Sequence, residues 1–184
     1  MHGIVAAQPT FPLATMSTSS LLLSLFQCKA AANAEIFAAL ETIDPVSHEK
    51  ERHALTRLMN HIYVVDQIFA AHLSGKSHAF TGVNTPETPT LADLKNHAAQ
   101  LDQWYVQLLS ETPSAALEEQ ISFTFTDGQA ARMSREEIFC HVAMHGGYHR
   151  GAVGKVLQQI GITPPRELLT SFLHQQQPER RVVI

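Results

Sequence analysis

Little cysteine, little charge and no long apolar run characterise this chain of 184 residues. Its two cysteines, Cys28 and Cys140, stand far apart, and neither belongs to a C-x-x-C pair, so no cysteine-built metal or redox motif exists. Both read as buried reduced thiols that pack as small hydrophobes. Charged residues make up only 16%, and the surface must therefore draw on Gln, Asn, Ser, Thr and His. The formal net charge is −4, and only Glu179-Arg180-Arg181 hints at a basic run. Nucleic-acid binding needs a basic face, so that class is set aside. No continuous apolar run reaches the ~18 residues of a membrane helix, and Met1–Thr15 lacks the basic start of a signal peptide. These absences lead to the expectation of a cytoplasmic protein, with neither nucleic acid nor membrane as partner.

The length suits one domain with a substantial core, and hydrophobic residues supply 45% of it. Residues 1–16 read as a loosely ordered tail, with Met16 as a plausible start; 17–174 read as one domain and 175–184 as a C-terminal tail. Helical spacing of Leu22, Leu25, Phe26, Ala30, Asn33, Ile36, Phe37 and Leu40 predicts a first helix over Ser19–Leu40. Asp44-Pro45 leads into a second helix, Val46–Ser74, stopped by Gly75. The loop 75–89 is rich in Gly, Ser, Thr, Asn and Pro. Thr90 opens a third helix that continues to about Leu109. The period then changes: Ile121–Thr126 alternates apolar and polar, Asp127-Gly128 is a hairpin turn pair, and Gln129–Met133 is the return strand. Ser134-Arg135-Glu136-Glu137 has capping-box spacing, so a fourth helix starts at Glu136 or one residue earlier and ends near Ile160, before Gly161 and Pro164-Pro165. Glu167–His174 forms a last short helix. The fold class is all-α: an antiparallel four-helix bundle with a small β-hairpin before the last long helix. Apolar residues on more than one face of the first and third helices suit a second subunit, giving a homodimer, or a crowded bundle.

Histidine, by contrast, is plentiful. There are 11, at positions 2, 48, 53, 61, 72, 78, 97, 141, 145, 149 and 174. His141, His145 and His149 form an i, i+4, i+8 ladder on the fourth helix, where residues four apart share a face. The outer two lie roughly 12 Å apart along the axis, too far to share an ion at ligand distances near ~2 Å. One adjacent pair can chelate, and His145 with His149 is the candidate. His61, on the second helix, is the best third ligand, because inward side chains build bundle metal sites. The bland alternative makes these histidines solvent-facing or core hydrogen-bonding groups. Asp66 is off the face of His61, and the helix dipole accounts for Glu136 and Glu137. Gly146 and Gly147, between the paired histidines, each cost roughly 1 kcal/mol in a helix interior. Tight packing of another helix or room for a ligand would offset this. Three histidines leave open coordination positions, a catalytic rather than a structural pattern. An ion there acidifies a bound water or thiol. Neutral imidazole suits Zn, Ni, Fe, Co or Cu.

Asn60-His61 and His145-Gly146-Gly147-Tyr148-His149-Arg150-Gly151 resemble the motifs of the DinB / YfiT-like family of metal-dependent enzymes. Ala32-Asn33 resembles that family's Ala-Asn signature, and the Asp127-Gly128 hairpin and Pro-rich exit also fit. The resemblance covers about Ser19 to Leu173. It implies a four-helix bundle, often dimeric, with a divalent metal ion held by His61, His145 and His149. Zinc or nickel come first, with iron, cobalt or manganese after them. A low-molecular-weight thiol such as bacillithiol or mycothiol is the implied cosubstrate. Asn60, His141, Tyr148 and Arg150 are placed around the ligands or along the pocket, and no catalytic residue is assigned. Met144 stands where Asn is usual in the family, and Tyr148 where His is frequent, which alters the hydrogen bonding around the ligands. The expected function is a metal-dependent transferase or hydrolase acting on a small molecule. The alternative is a non-catalytic, dimeric metal-binding or stress-response protein.

Overall fold

A computed structural model describes residues 17–181; the expected N-terminal tail, 1–16, and residues 182–184 lie outside the described residues. Within these bounds the chain is mostly helical, with five α-helices and one two-stranded antiparallel sheet. The elements are α1 (Thr18–Glu41), α2 (Glu49–Leu73), α3 (Leu91–Glu111), β1 (Gln120–Thr124), β2 (Ala130–Ser134), α4 (Arg135–Gln159) and α5 (Leu169–Gln176). Short 3-10 turns cover Ser114–Glu118 and Pro178–Arg180.

Local chemistry sets most boundaries. The Ser17 hydroxyl accepts from Ser20 N–H and caps α1. Thr90 caps α3 by accepting from Asp93 N–H. Ser134 and Glu137 form the reciprocal capping box of α4. Gly161, at φ +81°, takes the left-handed conformation that closes α4. The start of α2 falls at Glu49 rather than Val46. The Asp44 carboxylate accepts from Val46 N–H and Ser47 N–H at 2.9 and 2.7 Å, holding a separate turn, and His48 then breaks the helical path. In the hairpin, Gln120 pairs with Ser134 and Thr124 with Ala130, and Phe123 is buried against Phe69.

α1 packs on α3 and α4, and α2 on α4 and α3. By length and mean hydropathy α1 could cross a membrane; here one face of it packs inward, with Lys29 and Asn33 buried beside its apolar residues. Of the two cysteines, Cys28 is buried as expected, but Cys140 is exposed, on a face of α4 that no helix covers among the described residues.

The interior is layered. One apolar cluster gathers Leu22, Phe26, Phe69, Tyr105, Leu109 and Phe139; a second gathers Phe37, Leu40, Met59, Leu94, Val153 and Leu157. On each long helix the two sets are separated by buried polar residues: Lys29 and Asn33 on α1, Asp66 on α2, Asp102 on α3 and Arg150 on α4. The same order shows that α1 and α4 run from the first cluster to the second, and α2 and α3 from the second to the first. Two consecutive helices that run the same way need a connection that travels back along the first. The loop 74–90 makes that return along α2.

The polar layer is one bonded chain. Lys29 Nζ contacts Asp66 Oδ2 at 2.8 Å and Asp102 Oδ1 at 2.5 Å. Asn33 Nδ2 donates to Asp102 Oδ2, and Arg150 Nη1 donates to Asn33 Oδ1 at 3.0 Å. Arg150 Nε and Nη2 then donate to Glu167, after α4. Burial lowers the Lys29 affinity for protons, but Asp66 and Asp102 outweigh it and the net shift is upward. Burial dominates at Asp66, whose Oδ1 has no partner; despite Lys29, its carboxyl is pushed up to about 6.

Candidate metal centre

α2 and α4 bring His61, His145 and His149 together, with one ring nitrogen of each within 4.8 Å of the others. His61 Nε2 and His145 Nε2 are 3.0 Å apart. Four tetrahedral ligands at about 2.0–2.1 Å from an ion lie roughly 3.4 Å apart, so small side-chain adjustments would close the set. The rings meet edge to face, with centroids 4.9, 4.6 and 4.5 Å apart for the pairs 61–145, 61–149 and 145–149.

The electrostatics suit ligation. Burial, followed by the imidazoles of His149 and His61, holds His145 down to about 3. Burial and then His61 also lower His149. Both rings are therefore neutral, and able to bind a cation, at neutral pH. His61 Nδ1 sits 2.7 Å from the carbonyl oxygen of Val83. A carbonyl only accepts, so this nitrogen carries the proton and Nε2 presents its lone pair. The short contact then requires His145 Nε2 to donate to His61 Nε2, which leaves buried His145 Nδ1 without a partner. A cation among the rings would displace that proton, so the donor set fits a borderline divalent ion.

The other anticipated residues lie around this cluster or away from it. Asn60 is buried and donates to Asn84 and Thr85 of the 74–90 loop. His141 is exposed, one turn before His145 and stacked on it at 5.7 Å, with its other neighbour the Phe69 ring. Tyr148 is 76% exposed, with its ring 5.1 Å from His149, and Met144 is 75% exposed one turn earlier. Arg150 turns away from the imidazoles toward α1; its buried guanidinium donates to buried Asn33 and pairs with the exposed Glu167 carboxylate. It accounts for one of the paired glycines: a Cβ on Gly146 would lie 2.6 Å from Arg150 Nη1. The space at Gly146 serves the guanidinium. On this far side of α4, Gly147, Gly151 and Gly154 line a cavity of about 650 Å³ with Cys28, Pro164 and Glu167.

Neither thiol is activated. Burial raises Cys28, with Glu167 adding to it; burial raises Cys140, with Glu136 and Glu137 adding to it. Sequence reasoning missed Lys29, Asp102, Glu167 and the contact from Val83. Lys29 and Asp102 carried a usable signal, since each is a charge within an apolar helical stripe. Val83 carried none, because its contribution is a backbone carbonyl.

A mostly helical chain with three imidazoles converging from two helices defines a candidate metal-binding helical protein. The sequence profile of the DinB family matches residues 16–181, and the chain belongs to that family. No curated protein matches it.

Proposed function

We propose that the protein is a metal-dependent enzyme of the DinB family, a thiol-dependent transferase or hydrolase acting on a small molecule, with His61, His145 and His149 holding one divalent ion. The observation that carries this reading is the convergence of three imidazoles from α2 and α4, with no carboxylate among them in the described residues. Three ligands leave room for exogenous groups, which distinguishes such a site from a closed structural one. When bound, the ion supplies Lewis acidity. The protein's own side chains would provide the rest: Tyr148, with its ring beside His149, and Met144 one turn earlier are exposed and offer apolar surface against which a substrate can pack. Since Cys28 and Cys140 are both held protonated, a thiol reaction here would use an external thiol.

The four long helices support a bundle in which α1 and α4 run opposite to α2 and α3. We place the protein in the cytoplasm, where its two unpaired thiols stay reduced, and read it as a homodimer with no nucleic-acid partner. Zinc or nickel is the first choice of ion.

Metal analysis of purified protein tests the site. One divalent ion per chain is expected, lost in His61→Ala and in His149→Ala; stoichiometric metal surviving both substitutions refutes the assignment. Turnover of electrophiles with small thiols, absent from the same variants, separates the enzyme from a metal-binding protein without activity.

A further inference from the structure

The three histidines differ in how they are supported. His61 alone has a protein acceptor for its second nitrogen, and that acceptor is the Val83 carbonyl on the 74–90 loop. A loop carbonyl can fix a ring only if the loop is itself fixed. The bonds that do this come from α2, at the residues next to His61 and one turn before it. Asn60 Nδ2 donates to Asn84 Oδ1 and to Thr85 Oγ1, the latter at 2.7 Å. Arg57 Nη1 donates to Thr85 O and Thr88 Oγ1, both at 3.3 Å. Asn84 Nδ2 donates back to Arg57 O at 3.2 Å.

The donor and acceptor roles in this set are mutually determined. Asn84 gives its amide hydrogens to a carbonyl, and its oxygen accepts from Thr85 N–H, so its orientation is fixed. Thr85 Oγ1 donates to Glu87 O, so it can only accept from Asn60. Asn60 must therefore present its NH₂ group to both, which places its Oδ1 in the interior without a partner. A buried amide oxygen left unpaired carries a desolvation cost. The arrangement spends that cost on holding a loop that has few apolar anchors of its own: Val83 is 48% exposed.

From this we infer that Asn60 and Asn84 form a clamp that holds the Val83 carbonyl against His61 and so fixes His61 in its Nδ1–H tautomer, with Nε2 bare and aimed at the cation site. Asn60 and Asn84 are positioning residues. They act through the loop backbone and touch neither ion nor substrate. This inference rests on the metal-site reading above, in which His61 ligates through Nε2. Oriented imidazoles bind metals more tightly, and loss of an outer partner costs about 10- to 100-fold in affinity. Within the cluster, His61 is then the preorganised ligand, while His145, whose Nδ1 has no partner, adapts to it.

The test uses the full chain, free of metal and then titrated with zinc. Nitrogen-15 NMR of the histidine rings in metal-free wild type should show His61 as the Nδ1–H tautomer. In Asn60→Ala and Asn84→Ala it should become a mixture, and zinc affinity should fall by about 10- to 100-fold. Asn84→Asp keeps the oxygen that accepts from Asn60 and Thr85 but loses the donation to Arg57 O, and should retain more of the wild-type tautomer than Asn84→Ala. Asn84 is half-buried at the loop, so its variants give the answer even if Asn60→Ala fails to fold. A folded Asn84→Ala protein in which His61 stays wholly Nδ1–H, with zinc affinity within about twofold of wild type, overturns the clamp. Because the tautomer is read without metal, absence of zinc binding in wild type would defeat the metal-site reading while the NMR comparison still decides this one.

Discussion

Two polar clusters sit at the same level of this helical fold, and they are built in opposite ways. The first is the buried layer of Lys29, Asn33, Asp66, Asp102 and Arg150, fully inside and charged, with nearly every donor and acceptor matched. The second is the partly exposed trio of His61, His145 and His149, with one nitrogen unpartnered among the described residues and one contact between two nitrogens. A satisfied network closes on itself and ties four helices together. An unsatisfied one on the surface side of α2 and α4 has capacity left for a guest. The contrast separates residues that hold the fold from residues available for chemistry, and it assigns Arg150, the residue after His149 but facing another way, to the first group.

Breaking the buried layer should have the largest effect. Lys29→Met leaves Asp66 and Asp102 without their cation, and urea unfolding should show a loss of about 3–5 kcal/mol. His145→Ala in metal-free protein should cost far less by the same measurement. Comparable losses would erase the distinction drawn between the clusters.

Asp66 gives the layer a pH signature. Its folded-state pKa, about 6, lies above the ordinary carboxylate value. The folded state thus holds a proton that the unfolded chain has released. The associated stabilisation is full below about pH 4 and is lost as pH rises through about 6. Asp66→Asn removes this dependence, so wild type should lose up to about 3 kcal/mol relative to the variant between about pH 4 and 7, as read by denaturant unfolding at each pH. A difference that does not change with pH would show that Lys29 keeps Asp66 ionised throughout.

The histidine cluster should respond to metal instead. Zinc at a hundred times its dissociation constant stabilises a single site by about 2.7 kcal/mol. Thermal melts should show this shift in wild type and in Asp66→Asn, its reversal by a chelator, and its absence in His149→Ala.

The glycines of α4 give the finest discrimination. Gly151→Ala meets nothing within 4 Å and should be neutral or gain up to about 1 kcal/mol. Gly146→Ala drives a Cβ into the pinned Arg150 guanidinium and should lose about 1–3 kcal/mol while leaving zinc affinity unchanged. Loss of zinc binding in Gly146→Ala would return that glycine to the metal site.

Helices, hairpin and caps were legible because each depends on neighbours in sequence. The Ser134/Glu137 box and the Asp127-Gly128 turn are local chemistry, and the His145/His149 pair needs only the helical repeat. The errors were also local in origin. The α2 start was placed early because Pro45 suits a first turn, whereas the Asp44 carboxylate holds a turn of its own. Cys140 was expected to be buried because thiols commonly are, and its exposure follows from which face of α4 lacks a cover. The buried ion layer went unread as a network, since its members come from four separate helices and only their shared level in the interior brings them into contact.

Composition and spacing alone determined a helical chain, the order of its elements with most of their caps and turns, and that two imidazoles would stand on one face of its last long helix. Only the tertiary structure decided that residue 61 meets that pair, that Arg150 turns inward over Gly146, and that a returning loop lays a carbonyl on His61. The physical reason is range. Helical repeats, caps and turns act within a few residues, whereas each of these contacts joins side chains or backbone from segments that meet only after the helices have packed.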